Sequence, residues 1–235
     1  MPDAAPVAIV TGAGSGIGRS VCERLARAGW RLALVGRRER ALLETRDSID
    51  APGTLVLPAD VADAERAAGV VDRCVREWGR LDALVNNAGA APLAPIEETS
   101  EDLLARTFAV NAFGPAHLIA RAWPVFRRQG CGCVVNVSTA ATADPFPGFL
   151  AYAASKAALE SMTRSIAREG AGFGVRAFSV APGAVETGML RALFDERAVP
   201  ASVVLDPGDV AETICECILG RRDGEVGSVI RLSRG

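Results

Sequence analysis

Short apolar runs rich in valine, isoleucine and leucine alternate along the chain with longer amphipathic stretches. The runs Val7–Val10, Leu32–Val35, Thr54–Leu57, Ala83–Val85, Cys133–Val137, Arg176–Val180 and Ser228–Leu232 predict strands. Helices are predicted near 17–28, 38–49, 63–78, 101–128, 153–169 and 208–219. Strands that are apolar throughout, rather than at every second position, bury both faces, which implies a parallel sheet with helices on each side. Strand–helix alternation in this rhythm predicts a single-domain α/β fold, a doubly wound parallel sheet of the Rossmann type with right-handed crossovers. No repeat or linker interrupts the pattern, so one domain over 1–235 is expected.

Composition narrows the function. The chain has 235 residues, 49% of them hydrophobic and 23% charged, and a net charge of −2. Acids and arginines are interspersed, which leaves no basic footprint for nucleic acid. No apolar run approaches the roughly 18 residues of a membrane span. Met1–Pro6 carries neither a cationic nor an apolar leader segment, so a soluble cytoplasmic setting is expected. Six cysteines include the pairs Cys131/Cys133 and Cys215/Cys217, but His117 is the sole histidine. Thiols used as small apolar side chains, with no metal, are expected.

In doubly wound sheets ligands bind beyond the carboxyl ends of the strands. The loop after the first strand reads Thr11-Gly12-Ala13-Gly14-Ser15-Gly16-Ile17-Gly18. Gly12 suits a tight turn, Gly16 lets backbone approach a pyrophosphate, and Gly18 allows close helix packing. The N-terminus of the helix that follows then faces the phosphates. At the end of the second strand Gly36 stands where an NAD site wants an acid, and Arg37 and Arg38 follow, two guanidinium groups suited to a 2′-phosphate.

Tyr152 and Lys156 lie four apart on a predicted helix and so share a face. They are the only tyrosine and the only lysine of the chain. A phenol titrates near 10, and a neighbouring ammonium stabilises its phenolate, moving it toward acid–base use near neutral pH.

Taken in order, these segments resemble the short-chain dehydrogenases/reductases over almost the whole chain. Thr-Gly-x-x-x-Gly-x-Gly matches that family's opening. Asp60-Val61 resembles its adenine-side pair, and Asn86-Asn87-Ala88-Gly89 its turn after strand four. Asn111, Tyr152-x-x-x-Lys156 and Pro182-Gly183 with Thr187 follow in the expected places. The resemblance implies a hydride-transferring oxidoreductase using NADP(H), with NAD(H) second, on a small, hydrophobic carbonyl or secondary alcohol. Gly12, Ser15, Gly16, Ile17, Gly18, Arg37, Arg38, Asp60, Val61, Asn87, Ala88, Gly89, Tyr152, Lys156, Pro182, Gly183, Val185 and Thr187 would bind the cofactor.

The resemblance also implies a hydroxyl donor 13 residues before the tyrosine, which here is Thr139 where the family has serine. Ser138, one residue off, stays a candidate, since an insertion in 140–150 would exchange the two. Asn111 would hold a water for proton relay. Residues 188–200 would form a substrate lid, and the long helices would support a homodimer or homotetramer. The rival reading is a non-catalytic, NADP-sensing binding protein on the same fold.

Overall fold

The computed structural model describes residues 5–51 and 53–234; the leader reading over Met1–Ala4 lies outside them. Its strands are β1 (Val7–Thr11), β2 (Arg31–Gly36), β3 (Leu55–Pro58), β4 (Ala83–Asn86), β5 (Gly132–Val137), β6 (Val175–Pro182) and β7 (Val229–Leu232). They form one seven-stranded sheet in the order β3-β2-β1-β4-β5-β6-β7. Every pairing is parallel. The strand order reverses between β1 and β4, so the loops after these two strands flank the switch point.

The helices are α1 (Gly16–Arg27), α2 (Glu39–Ser48), α3 (Ala64–Trp78), α4 (Glu101–Phe108), α5 (Gly114–Gln129), α6 (Leu150–Gly170), α7 (Gly188–Leu193) and α8 (Pro207–Ile218). The sheet separates two cores. On one side Ala8, Val10, Leu32 and Leu34 meet Val21 and Leu25 of α1, Leu42 of α2 and Ile214 of α8. On the other, Val7, Ile9, Ala33 and Val35 meet Val70 of α3, Leu118 and Phe126 of α5 and Ile166 of α6. Successive strand residues therefore bury opposite faces, as the unbroken apolar runs predicted.

The cysteines serve these cores. Five of the six are buried and all are free thiols. Burial pushes Cys74, Cys133, Cys215 and Cys217 up to about 12, which keeps them protonated and unreactive. Among the described residues no helix is long and apolar enough to cross a membrane.

One predicted element is divided. The expected helix 101–128 is two helices joined by a π-helical turn over Ala109–Phe113. Pro115, at the start of α5, lacks the N–H that an unbroken α-helix would aim at the Asn111 carbonyl. Gly114 adds a close approach, since a Cβ there would stand 2.6 Å from the Val61 carbonyl oxygen. The break lies beside the candidate site, where such turns are frequent.

Candidate active site

The glycine turn is built for close approach. Gly12 and Gly16 adopt φ of +66° and +51°, a region that disfavours any Cβ. A Cβ on Gly18 would stand 2.3 Å from the Gly12 carbonyl oxygen and 2.6 Å from Asn87 Nδ2. The turn thus packs on itself and against the loop after β4. Ser15 is the extended N-cap of α1, and its hydroxyl caps nothing. The leading N–H groups of α1 therefore remain available to an anionic ligand. Across the gap, a Cβ on Gly16 would come 3.0 Å from Thr187 Cγ2, so the glycine turn and the loop after β6 face each other.

Thr11 fastens the two switch-point loops. Its hydroxyl donates to the Val85 carbonyl at 3.2 Å and accepts from the N–H groups of Asn87 and Ala88 at 2.9 and 3.0 Å. Asn87 Nδ2 donates to the Thr11 carbonyl at 2.8 Å. Gly18→Ala should therefore both strain the turn and displace Asn87. We expect it to lower stability by about 1–3 kcal/mol and to weaken nucleotide binding, measured by thermal unfolding and by cofactor titration.

The other positions expected to contact a cofactor ring the same strand ends. Arg37 and Arg38 follow β2 and are exposed, and neither has an ion-pair partner among the described residues. Asp60 folds its carboxylate onto the Ala62 N–H at 3.1 Å, and Val61 is buried against the start of α5. Pro182 ends β6, Gly183 donates to the Leu232 carbonyl at 2.8 Å, and Val185 bridges to Leu205. Thr187 caps α7 by accepting from Leu190 N at 3.2 Å.

At the ends of β4 and β5 the proton-transfer candidates converge. Lys156 is 3% exposed, and its Nζ donates to the Val137 carbonyl at 2.6 Å. Burial draws its ammonium down to about 8. Tyr152, one turn earlier on α6, is pushed up by burial, and the neighbouring Thr139 hydroxyl opposes that shift. The Thr139 oxygen also accepts from Ala141 N at 3.2 Å.

Ser138 turns the other way. Its hydroxyl donates to Glu160 Oε1 at 2.7 Å, an oxygen that Thr142 also reaches at 2.9 Å. Period-two alternation has placed the two neighbouring hydroxyls on opposite faces, and only that of Thr139 meets the tyrosine.

Asn111 sits fully buried in the π-helical turn. Its amide accepts from Ala90 N and donates to the Ala90 carbonyl, both at 2.8 Å, and donates to Ser155 Oγ at 3.0 Å. A Cβ on Gly89 would be 3.3 Å from Asn111 Oδ1 and 3.5 Å from Lys156 Nζ, so these two side chains border the same glycine. His117 is exposed on α5, and Trp123 packs edge-on against Phe173 at 5.3 Å; neither reaches this region.

Several participants were not anticipated. Thr11 adjoins the glycine motif and could have been read from it. Glu160 follows Lys156 by one helical turn, but a glutamate on an amphipathic helix reads as solvated unless its buried partners are known. Ser155 and Thr142 carry no signal in the sequence.

A parallel nucleotide-binding sheet with a tyrosine–lysine pair on the helix after its fifth strand defines an oxidoreductase of the Rossmann class. The family model described as short chain dehydrogenase matches residues 6–198, and the chain belongs to that family. It is 40% identical over 184 residues to an uncharacterised oxidoreductase of Thermotoga maritima, covering 77% of this chain and 72% of that one. To the 2,3-dihydro-2,3-dihydroxybenzoate dehydrogenase of Escherichia coli it is 37% identical over 221 residues, covering 87% and 86%. The solved 3-ketoacyl-(acyl-carrier-protein) reductase of Brucella melitensis, complexed with NADH, matches with a TM-score of 0.92 at 26% identity, over 98% of this chain and 97% of that one.

Proposed function

We propose that the protein is an NADP(H)-dependent reductase or dehydrogenase of a small, hydrophobic carbonyl or secondary alcohol, with Tyr152 as the acid–base residue. The observation that carries the reading is the Thr139 hydroxyl on the Tyr152 side of the strand end beside buried Lys156, at the strand ends that the glycine turn also borders. When bound, a nicotinamide dinucleotide supplies or accepts the hydride.

The chain does the rest. The Tyr152 hydroxyl gives a proton to the substrate oxygen in reduction and takes it back in oxidation. Thr139 donates a hydrogen bond to that same oxygen. The Lys156 ammonium favours the phenolate that forms, and Asn111 braces the loop after β4, with a water at its carbonyl for proton relay. Residues 188–200, which contain α7, act as the lid over the substrate.

The dinucleotide fits the turn: Gly12 and Gly16 take positive φ, Gly18 lets the turn close on Gly12, and the leading N–H groups of α1 are left for the pyrophosphate. The choice of NADP(H) rests on the end of β2, where Gly36 offers no carboxylate and two exposed arginines follow. NADPH should bind more tightly than NADH in a fluorescence titration. Arg37→Ala or Arg38→Ala should erode the difference by about 1–3 kcal/mol, the worth of a charge-assisted hydrogen bond. NADH binding as tight as NADPH would overturn the assignment. Following NADPH absorbance against a carbonyl panel tests the reaction itself.

The apolar groove between α5 and α6, lined by Ala116, Ile119, Ala120, Trp123, Ala158 and Met162, suits a second copy of the chain. Light scattering should give a dimer or tetramer mass, and Ala158→Arg should shift it toward the monomer.

A further inference from the structure

The segment before Tyr152 reads Pro145-Phe146-Pro147-Gly148-Phe149. The Phe149 N–H donates to the Phe146 carbonyl at 3.1 Å and closes a four-residue turn. Pro147 and Gly148 occupy its centre, with Gly148 at φ +86°, the residue pair that a type II turn favours. First and fourth residues of such a turn stand side by side. The Phe146 and Phe149 rings are accordingly 5.9 Å apart, edge to face at 85°.

A third ring arrives from a distant segment. Phe194, just past α7, lies 5.9 Å from Phe146 and 6.2 Å from Phe149. Phe149 in turn lies 5.1 Å from the Tyr152 ring. Both segments are anchored: Ala94 N donates to the Gly148 carbonyl at 3.1 Å, and Arg191 ion-pairs with Glu186 while donating to the Val199 carbonyl at 2.8 Å. Asp195, beside Phe194, is occupied with the N–H groups of Arg197 and Ala198.

Burial distinguishes the rings. Phe149 is 7% exposed and forms the floor, whereas Phe146 is 57% exposed, with Leu150, next to Phe149, at 41%. Large apolar side chains left open beside a candidate acid–base group mark a ligand surface more than a packing defect.

We propose that Phe146, Phe149 and Phe194 form an aromatic wall that selects a flat, uncharged ring ketone, or its alcohol, over an open-chain one. The inference rests on the reading of Tyr152 given above. Edge-to-face ring pairs bring positive edges to negative faces, and a planar aryl group extends that pattern where a flexible chain cannot.

The test compares acetophenone with 2-octanone, both of eight carbons, and their alcohols, with saturating NADPH and with saturating NADH. Acetophenone should be preferred by about tenfold or more in kcat/KM, the scale of one good apolar contact. Phe146→Ala, at an exposed position, and Phe194→Leu, which keeps an apolar side chain, should each bring that ratio toward unity, mainly through KM. Nucleotide affinity should stay constant in both. A ratio near unity in the unaltered protein, or a ratio the variants leave intact, overturns the wall and leaves hydride transfer standing. If neither ketone is reduced nor either alcohol oxidised, the wall and the Tyr152 reading fall together.

Discussion

Replacing Tyr152 with phenylalanine should lower kcat by roughly 10²–10⁴, the usual loss with a general acid, while the fold and nucleotide affinity persist. The substitution deletes one hydroxyl and keeps the ring that packs against Phe149 at 5.1 Å. Among the described residues no hydrogen bond of the strand ends or the glycine turn uses that oxygen, and only the Thr139 hydroxyl bears on it. Steady-state kinetics with a nucleotide titration on the same sample separate the two effects. A kcat equal to that of the unaltered protein would remove Tyr152 from the mechanism.

The same pair fixes a pH dependence. Burial draws Lys156 down to about 8, so its ammonium is intact below that pH and lost as pH rises through it. Tyr152 is pushed up and remains a phenol across this range. Carbonyl reduction, which needs the phenol beside a cation, should therefore run well below about 8 and decline above it. The limb should appear in kcat/KM, which reports the free enzyme. Lys156→Met should lower the rate and erase that limb.

The second large effect concerns the neighbouring hydroxyls. Thr139→Val keeps the branched shape and deletes the oxygen, and should cost kcat/KM about 2–4 kcal/mol, as for other lost oxyanion donors. Thr139→Ser should retain activity. Ser138→Ala should change kcat/KM little, because the Ser138 hydroxyl is spent on Glu160 at 2.7 Å. Its loss should appear as a stability change of about 1 kcal/mol instead. The reverse ranking would transfer the donor role to Ser138.

Much of this molecule follows from short-range pattern. The apolar runs predicted all seven strands to within a few residues, because the central strands bury both faces and are therefore almost wholly apolar. The glycine spacing and the Tyr152–Lys156 offset are equally local, since one short loop sets the first and one turn of helix the second. The division of α4 from α5 could be suspected from Pro115, but α5 also carries Pro124 without breaking. The difference lies in Gly114 against Val61 and Asn111 against Ala90, contacts made only once the chain has folded.

By itself the sequence determined the sheet, the glycine turn after β1 and the spacing of the tyrosine–lysine pair, since each depends on residues within one element or its adjoining turn. Tertiary structure decided the rest. Ser138 and Thr139 are adjacent and both bear hydroxyls, and their roles divide because one face of the strand end meets Glu160 while the other meets Tyr152. Phe194 joins Phe146 and Phe149 across a long stretch of chain that contains α6, β6 and α7. Periodicity states which face a residue occupies. What stands opposite that face is set by long-range packing, and there the chemistry of this site is determined.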